Sequence, residues 1–241
     1  MSNTINWGKI HGLSYSPETN LTGTAATPNF TNTKSIELDG VDDFVSFSDI
    51  NLSGVFSISF WFKFTGTFNV SGESFIFGEF GNSNNYLQLN SATKIILRIG
   101  RNSKTYTSTT QTISQNAWNH LMIIRDASNV TTIYLNGQVF KFLSTQVNDW
   151  KIQRIGRVWN AARGFLGGID EFAIWSSDLT SDVSTIYNSG VPNNLNDLSN
   201  LPLHWYRCGD GDTSPTLTDN GSGGNNGTMT NFSTFSTDVP T

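Results

Sequence analysis

Nineteen acidic residues and three histidines are the groups in this 241-residue chain that could do acid–base or metal chemistry. Their spacing decides which chemistry is open. The densest group is Asp39-Gly40-Val41-Asp42-Asp43. Its hard carboxylate oxygens, with loop carbonyls, suit calcium, which takes about six to eight oxygen ligands. The same residues can simply shape a turn, because Asp side chains accept bonds from nearby backbone amides. Asp170-Glu171 is the second acidic group. Hydrolysis of a glycoside needs two carboxylates facing each other across the sugar. Neighbours on a strand point to opposite faces, so Asp170 and Glu171 are not expected to work as an acid–base pair. Glu73, Glu79 and Asp126 stand alone, and no Glu-x-Asp-x-x-Glu spacing occurs.

His11, His120 and His204 are scattered, and the one cysteine, Cys208, has no histidine or aspartate set around it in a nucleophile motif. Zinc sites and covalent catalysis therefore have no support. The glycines between 221 and 227 lack the Lys-Ser/Thr and helix of a phosphate cradle. No catalytic residues are expected.

A different chemistry is carried by aromatics set among amides. Flat rings beside Asn and Asp groups are what a sugar requires. Trp150 follows Asn148-Asp149, Trp159 precedes Asn160 and Arg163, and Tyr86 follows Asn84-Asn85. Trp, Tyr and Arg also dominate protein interfaces. The same residues therefore read as glycan contacts or, by preference, as aromatics that cover the sandwich ends or bury against a partner protein.

The elements that must position these groups are strands. Ser, Thr and Asn number 28, 28 and 27, with 22 Gly, whereas charged residues make up only 14%. Strong helix formers are scarce, which excludes helical bundles. Seventeen Phe and seven Trp supply a core, which excludes disorder. A net charge of −5 gives no electrostatic footprint for nucleic acid, and no apolar run is long enough to span a membrane as a helix. No basic patch followed by an apolar stretch opens the chain, so no signal peptide is expected.

Phe56, Ile58, Phe60, Phe62 and Phe64 alternate over one stretch, the clearest strand signal in the chain. Further strands are expected at 35–38, 43–47, 74–80, 86–90, 95–99, 118–125, 131–135, 165–175 and 203–206. Asn136-Gly137 between two apolar runs predicts a two-residue hairpin. Gly167-Gly168 inside a strand predicts a bulge or close backbone approach. One helix of about two turns is expected, capped by Thr180, carrying Val183, Ile186 and Tyr187 on one face, and plugging an end of the sandwich.

Four segments in order carry a resemblance. Ile36 to Val45 contains Leu38-Asp39-Gly40-Val41-Asp42-Asp43, Phe56 to Lys63 is a long aromatic strand, Trp118-Asn119-His120 leads to Tyr134-Leu135-Asn136-Gly137, and Gly168-Ile169-Asp170-Glu171 leads into a short helix. Together they resemble the laminin G-like, or concanavalin A-like lectin/glucanase, jelly roll. The resemblance implies an all-β single sandwich of two antiparallel sheets with one short helix. The core is expected at 35–190, and the domain fills 1–241. It also implies that Asp170 faces the Asp39–Asp43 loop, making Asp39, Asp42, Asp43 and Asp170 the candidate ligands of a structural calcium.

The segment 210–230 is similar to the family's usual first strand region, displaced to the other end of the chain. It is expected to close the sandwich in place of an N-terminal strand, with a truncated second repeat as the rival and 231–241 as an extended tail. A core and tail of this kind resemble tailed-phage virion proteins. The implied function is a non-enzymatic virion structural protein, a capsid decoration or tail fibre component, that binds other virion subunits or forms a homo-oligomer, with surface glycans as a further expected ligand. A cell-surface or secreted carbohydrate-binding module is the alternative, and a glycoside hydrolase stands last.

Overall fold

The computed structural model describes residues 30–68, 74–81, 83–158 and 164–241. Within them fifteen strands, numbered in chain order, form two antiparallel sheets. One sheet runs β1 (Ile36–Asp39), β12 (Leu166–Trp175), β3 (Phe56–Phe64), β8 (Trp118–Arg125), β9 (Val130–Leu135) and β10 (Gln138–Thr145), with β13 (His204–Tyr206) also pairing β12. The other runs β14 (Thr216–Leu217), β15 (Gly227–Thr230), β2 (Phe44–Leu52), β11 (Trp150–Ile155), β4 (Phe75–Gly78), β5 (Tyr86–Ser91), β6 (Lys94–Ile99) and β7 (Asn102–Thr107).

The alternation in β3 becomes the centre of the core. Phe56, Ile58, Phe60, Phe62 and Phe64 are all fully buried. Phe60 meets Phe77 of the opposite sheet edge-on at 5.6 Å, and Phe56 meets Trp150 at 5.8 Å. Burying each such ring is worth about 1.5–3 kcal/mol. The intervening Ser57, Ser59 and Trp61 face outward from the sandwich but are covered by other parts of the chain. The one α-helix among the described residues, α1 (Val183–Tyr187), lies there: Tyr187 stacks on Trp61 at 6.0 Å and approaches His120 at 5.7 Å.

This corrects the expected helix in three respects. It has five residues, it covers a sheet's outer face instead of plugging an end, and Thr180 does not cap it. Thr180 begins a preceding 3-10 turn, and Asp178 accepts the bonds from the Thr180 amide and hydroxyl. Asn188 ends the helix in the left-handed conformation.

The Asn136-Gly137 hairpin forms as expected, with φ of +50° and +73° at its two central residues. Gly167 marks a close approach: at φ +134°, a Cβ there would lie 1.9 Å from the Lys63 carbonyl oxygen. Two strands were not expected. β7 is polar and pairs at a sheet edge, and β11 begins at Trp150, where Asn148-Asp149 reads as loop.

The chain beyond the helix joins both sheets. β13 extends β12 through Tyr206 opposite Phe172, and β15 lies beside β2 through Met229 opposite Val45. The loop between them is organised by Asp219. Its carboxylate accepts from His204 Nδ1 at 2.6 Å and from the amides of Trp205, Gly221 and Asn225 at 2.8–2.9 Å. Further on, Ser236 bridges to Ser35, and Asp238 accepts from Lys63 and from Trp118 Nε1.

Candidate functional site

The expected aromatic contacts separate in the structure. Trp150 is fully buried, packed on Phe56 and Phe77, and cannot touch a ligand. The correction follows from strand phase: Trp150 shares the inward face of β11 with Ile152, while Lys151 faces out. Trp159, Asn160 and Arg163 lie outside the described residues. Tyr86 is half-buried on the outer face of the eight-stranded sheet, since its neighbour Leu87 fills the core.

Sheet register builds a platform around Tyr86. Tyr86 lies opposite Gly78 on one side and Arg98 on the other. Gly78 lies opposite Arg154, which in turn lies opposite Ser46. Directly paired residues of antiparallel strands share a face. Arg154, Gly78, Tyr86 and Arg98 therefore form one row across four strands. At about 4.8 Å per strand the two arginines stand roughly 14 Å apart along the backbone row.

The side chains of the row are held by rings. The Arg154 guanidinium sits 3.8 Å from the Phe44 ring centre and 3.5 Å from that of Phe80, which is 44% exposed. Arg98 lies 5.9 Å from the Tyr86 ring, and Tyr86 meets Phe75 edge-on at 5.0 Å. Gly78 keeps the middle of the row flat: a Cβ there would lie 2.3 Å from the Asn85 carbonyl oxygen. Beside the row, Lys151 pairs with Asp49 at 3.2 Å and Glu79 at 3.5 Å, so those charges are internally matched. Chemically, the face offers aromatic surface for the C–H side of a sugar ring and planar guanidinium donors at its ends. Arg98 and Arg154 carried no signal in the sequence beyond their alternation with core residues, because the row exists only through pairing of distant strands.

The acidic loop forms as a tight group. One carboxylate oxygen from each of Asp39, Asp42 and Asp43 can be found within 4.8 Å of the others. Asp39 accepts from the Val41 and Asp42 amides, and Asp43 accepts from the Asp39 amide at 3.1 Å. Burial, with the neighbouring Asp39 and Asp42 charges, raises the Asp43 carboxyl above its ordinary value, against the Asp39 amide that lowers it. The all-oxygen donor set fits a hard cation such as calcium, and the three residues could hold one, yet two of them already serve the turn.

Asp170 does not join this loop. On β12 the partner of Asp39 is Leu166, and Asp170 lies four residues further along, roughly 13 Å away at about 3.3 Å per residue. It is fully buried and accepts from Asn32 Nδ2 at 2.8 Å. The adjacency argument also needs correction. The register of β12 against β3 shifts between Asp170 and Ala173, and Glu171 adopts φ +48°. This bulge turns both acidic side chains into one buried cluster. Burial and the Glu171 charge push Asp170 well up; burial pushes Glu171 up to about 7, against the pull of Arg207 and of Trp205 Nε1–H, which bonds it at 2.6 Å.

His120 and Cys208 are also interior groups. His120 bonds Ser59 at 2.8 Å, and burial pushes its imidazole down to about 3. Burial likewise pushes the Cys208 thiol well up, the opposite of an activated nucleophile.

Comparison with known folds agrees with this architecture. A heptameric pentraxin from Limulus polyphemus superposes with a TM-score of 0.52 at 15% identity, over 65% of this chain and 82% of its own. A proposed carbohydrate binding protein from Bacteroides ovatus superposes with a TM-score of 0.66 at 18% identity, over 88% of this chain and 62% of its own. At these identities the likeness is one of fold. Among curated proteins none matches. The sequence profile that does match covers residues 39–183, from the acidic turn through β2 to β12 and up to the start of the helix, and by it the chain belongs to the concanavalin A-like lectin/glucanases superfamily.

Proposed function

We propose that this protein is a non-catalytic carbohydrate-binding sandwich whose ligand lies on the outer face of the eight-stranded sheet. The carrying observation is the half-exposed Tyr86 ring, held edge-on by Phe75 and in register with Arg98 and Arg154. A sugar gains from such a ring by C–H stacking and from the flanking donors by directed hydrogen bonds. The neighbour of like fold that bears a carbohydrate-binding description supports the same reading. Catalysis is disfavoured because Asp170 and Glu171, the acidic pair of the core strand, are sealed from solvent and cannot flank a glycosidic bond.

The setting we propose is a tailed-phage virion, as capsid decoration or tail fibre component among other virion subunits. It rests on the resemblance of the 210–230 segment, not on the sheet face. Mass spectrometry of purified particles tests it, and recovery of the chain only from cell surfaces or medium would favour the free module. A glycan array tests the binding reading: retention of particular oligosaccharides by the wild-type chain and their loss with Tyr86→Ala is expected. Uniform silence across the array overturns it.

A further inference from the structure

Two arginines on the candidate face have unusual surroundings. Among the described residues neither Arg154 nor Arg98 pairs with a carboxylate, although Lys151 beside them pairs with two. Arg154 is half-buried between the Phe44 and Phe80 rings, and the charge that bears on it is another cation, Arg157. Burial first and that like charge second lower its guanidinium from the ordinary value. Arg98 leans on Tyr86 with its Nε shut away from solvent and without an acceptor among the described residues.

Rings on both faces of a guanidinium fix its plane and leave only its edge N–H groups to find partners. An edge of that kind matches a planar or tetrahedral oxyanion, and the charge-assisted bonds formed are the strong class. Generic polyanion attraction does not account for such a site, because the whole chain carries a net charge of −5.

We propose that the Arg154–Tyr86–Arg98 row recognises an anionic glycan, a sugar bearing a carboxylate or sulfate group, with the oxyanion on Arg154 and an adjoining ring stacked on Tyr86. This rests on the carbohydrate-binding reading and narrows its ligand class. The span of the row suits a short oligosaccharide lying across the strands, and Gly78 places no side chain between Arg154 and Tyr86.

Calorimetric titration with matched probes tests the proposal. One pair is oligogalacturonate and its methyl ester; the other is a galactan oligosaccharide with and without sulfate. A polyaspartate of similar charge is the control. The expected result is at least about tenfold tighter binding of the anionic member of one pair, which also identifies carboxylate or sulfate as the group read. Arg154→Gln should remove that preference, and Arg154→Lys should restore only part of it, because an ammonium lacks the planar fork. Arg98→Gln, a second variant on another strand, should weaken the anionic probe if Arg154→Gln proves unfolded in a thermal melt. Equal affinity within both pairs overturns the anionic preference while carbohydrate binding stands. Polyaspartate binding as tight as that of the sugars overturns it in favour of charge alone. Silence toward all four oligosaccharides and the array overturns both readings.

Discussion

Individual buried charges set the pH response of this protein. Glu171 lies up at about 7, above its ordinary 4.5, so the folded state keeps a proton that the unfolded chain releases. Its contribution is complete below 4.5 and is lost as pH rises through about 7. His120 acts oppositely: its folded value is about 3 against 6.5 unfolded, so stability falls as pH drops below 6.5. Glu171→Gln removes the first effect and, with it, the part of the Asp170 shift that the Glu171 charge causes, which acts in the same direction. The difference in melting temperature, variant minus wild type, should therefore grow from about pH 5 to pH 8, by an amount worth up to a few kcal/mol. Parallel melting curves across that range would show that Glu171 ionises normally. A second residue-scale test concerns Asp39, Asp42 and Asp43. If they hold calcium, millimolar calcium raises the melting temperature and Asp42→Asn abolishes the rise, a linkage of about 2.7 kcal/mol at a hundredfold excess over Kd. If they only shape the turn, Asp39→Asn lowers stability equally with and without the ion.

Strands and loops carry a different kind of constraint, one of close approach and satisfied backbone. Gly167→Ala would force a Cβ against the Lys63 carbonyl, at a contact of 1.9 Å that backbone on both strands prevents from relaxing. A loss of about 3 kcal/mol or more is expected by chemical denaturation, beyond the usual penalty for an overpacked methyl. Asp219→Ala would leave the amides of Trp205, Gly221 and Asn225 without their acceptor, at about 1–3 kcal/mol for each that stays dry. Burial alone would raise the Asp219 carboxyl, but His204 and these amides outweigh it and hold it below its usual value. Hydrogen exchange should accordingly quicken at 204–206 and 219–226 in the variant, while β3 and β8 keep their protection. Much of this level was readable beforehand. The period-two run of β3 and the Asn136-Gly137 turn are local signals, and both formed as expected. The Glu171 bulge was not readable, because a register shift depends on which partner strand the segment meets.

At the level of the whole molecule, residues beyond the helix are structural members of both sheets. β13 lies against β12, and β15 lies against β2. Deleting 204–241 should leave two unpaired strand edges and uncover Phe172 and Val45, so the shortened chain is expected to aggregate or bind a hydrophobic dye instead of melting cooperatively. Cys208, fully buried beside β13, offers an independent readout. In the intact protein its labelling by a thiol reagent should follow the global unfolding rate, and prompt labelling under native conditions would show that this segment opens alone.

Composition and alternation were sufficient for the class of fold, since side-chain direction along a strand follows from two-residue geometry wherever the chain goes. They also showed which residues form the core of β3. Pairing was beyond them. Trp150 reads as a loop aromatic until β11 takes its place between β2 and β4 and turns it inward. Arg154 and Arg98, 56 positions apart in the chain, become neighbours in one row only when β4 and β5 come between their strands. Asp170 was separated from the acidic turn and joined to Glu171 by strand register alone. Local sequence dictates which way a residue points relative to its neighbours, whereas a binding face is a property of several strands at once, and their order is settled by burial of the whole core.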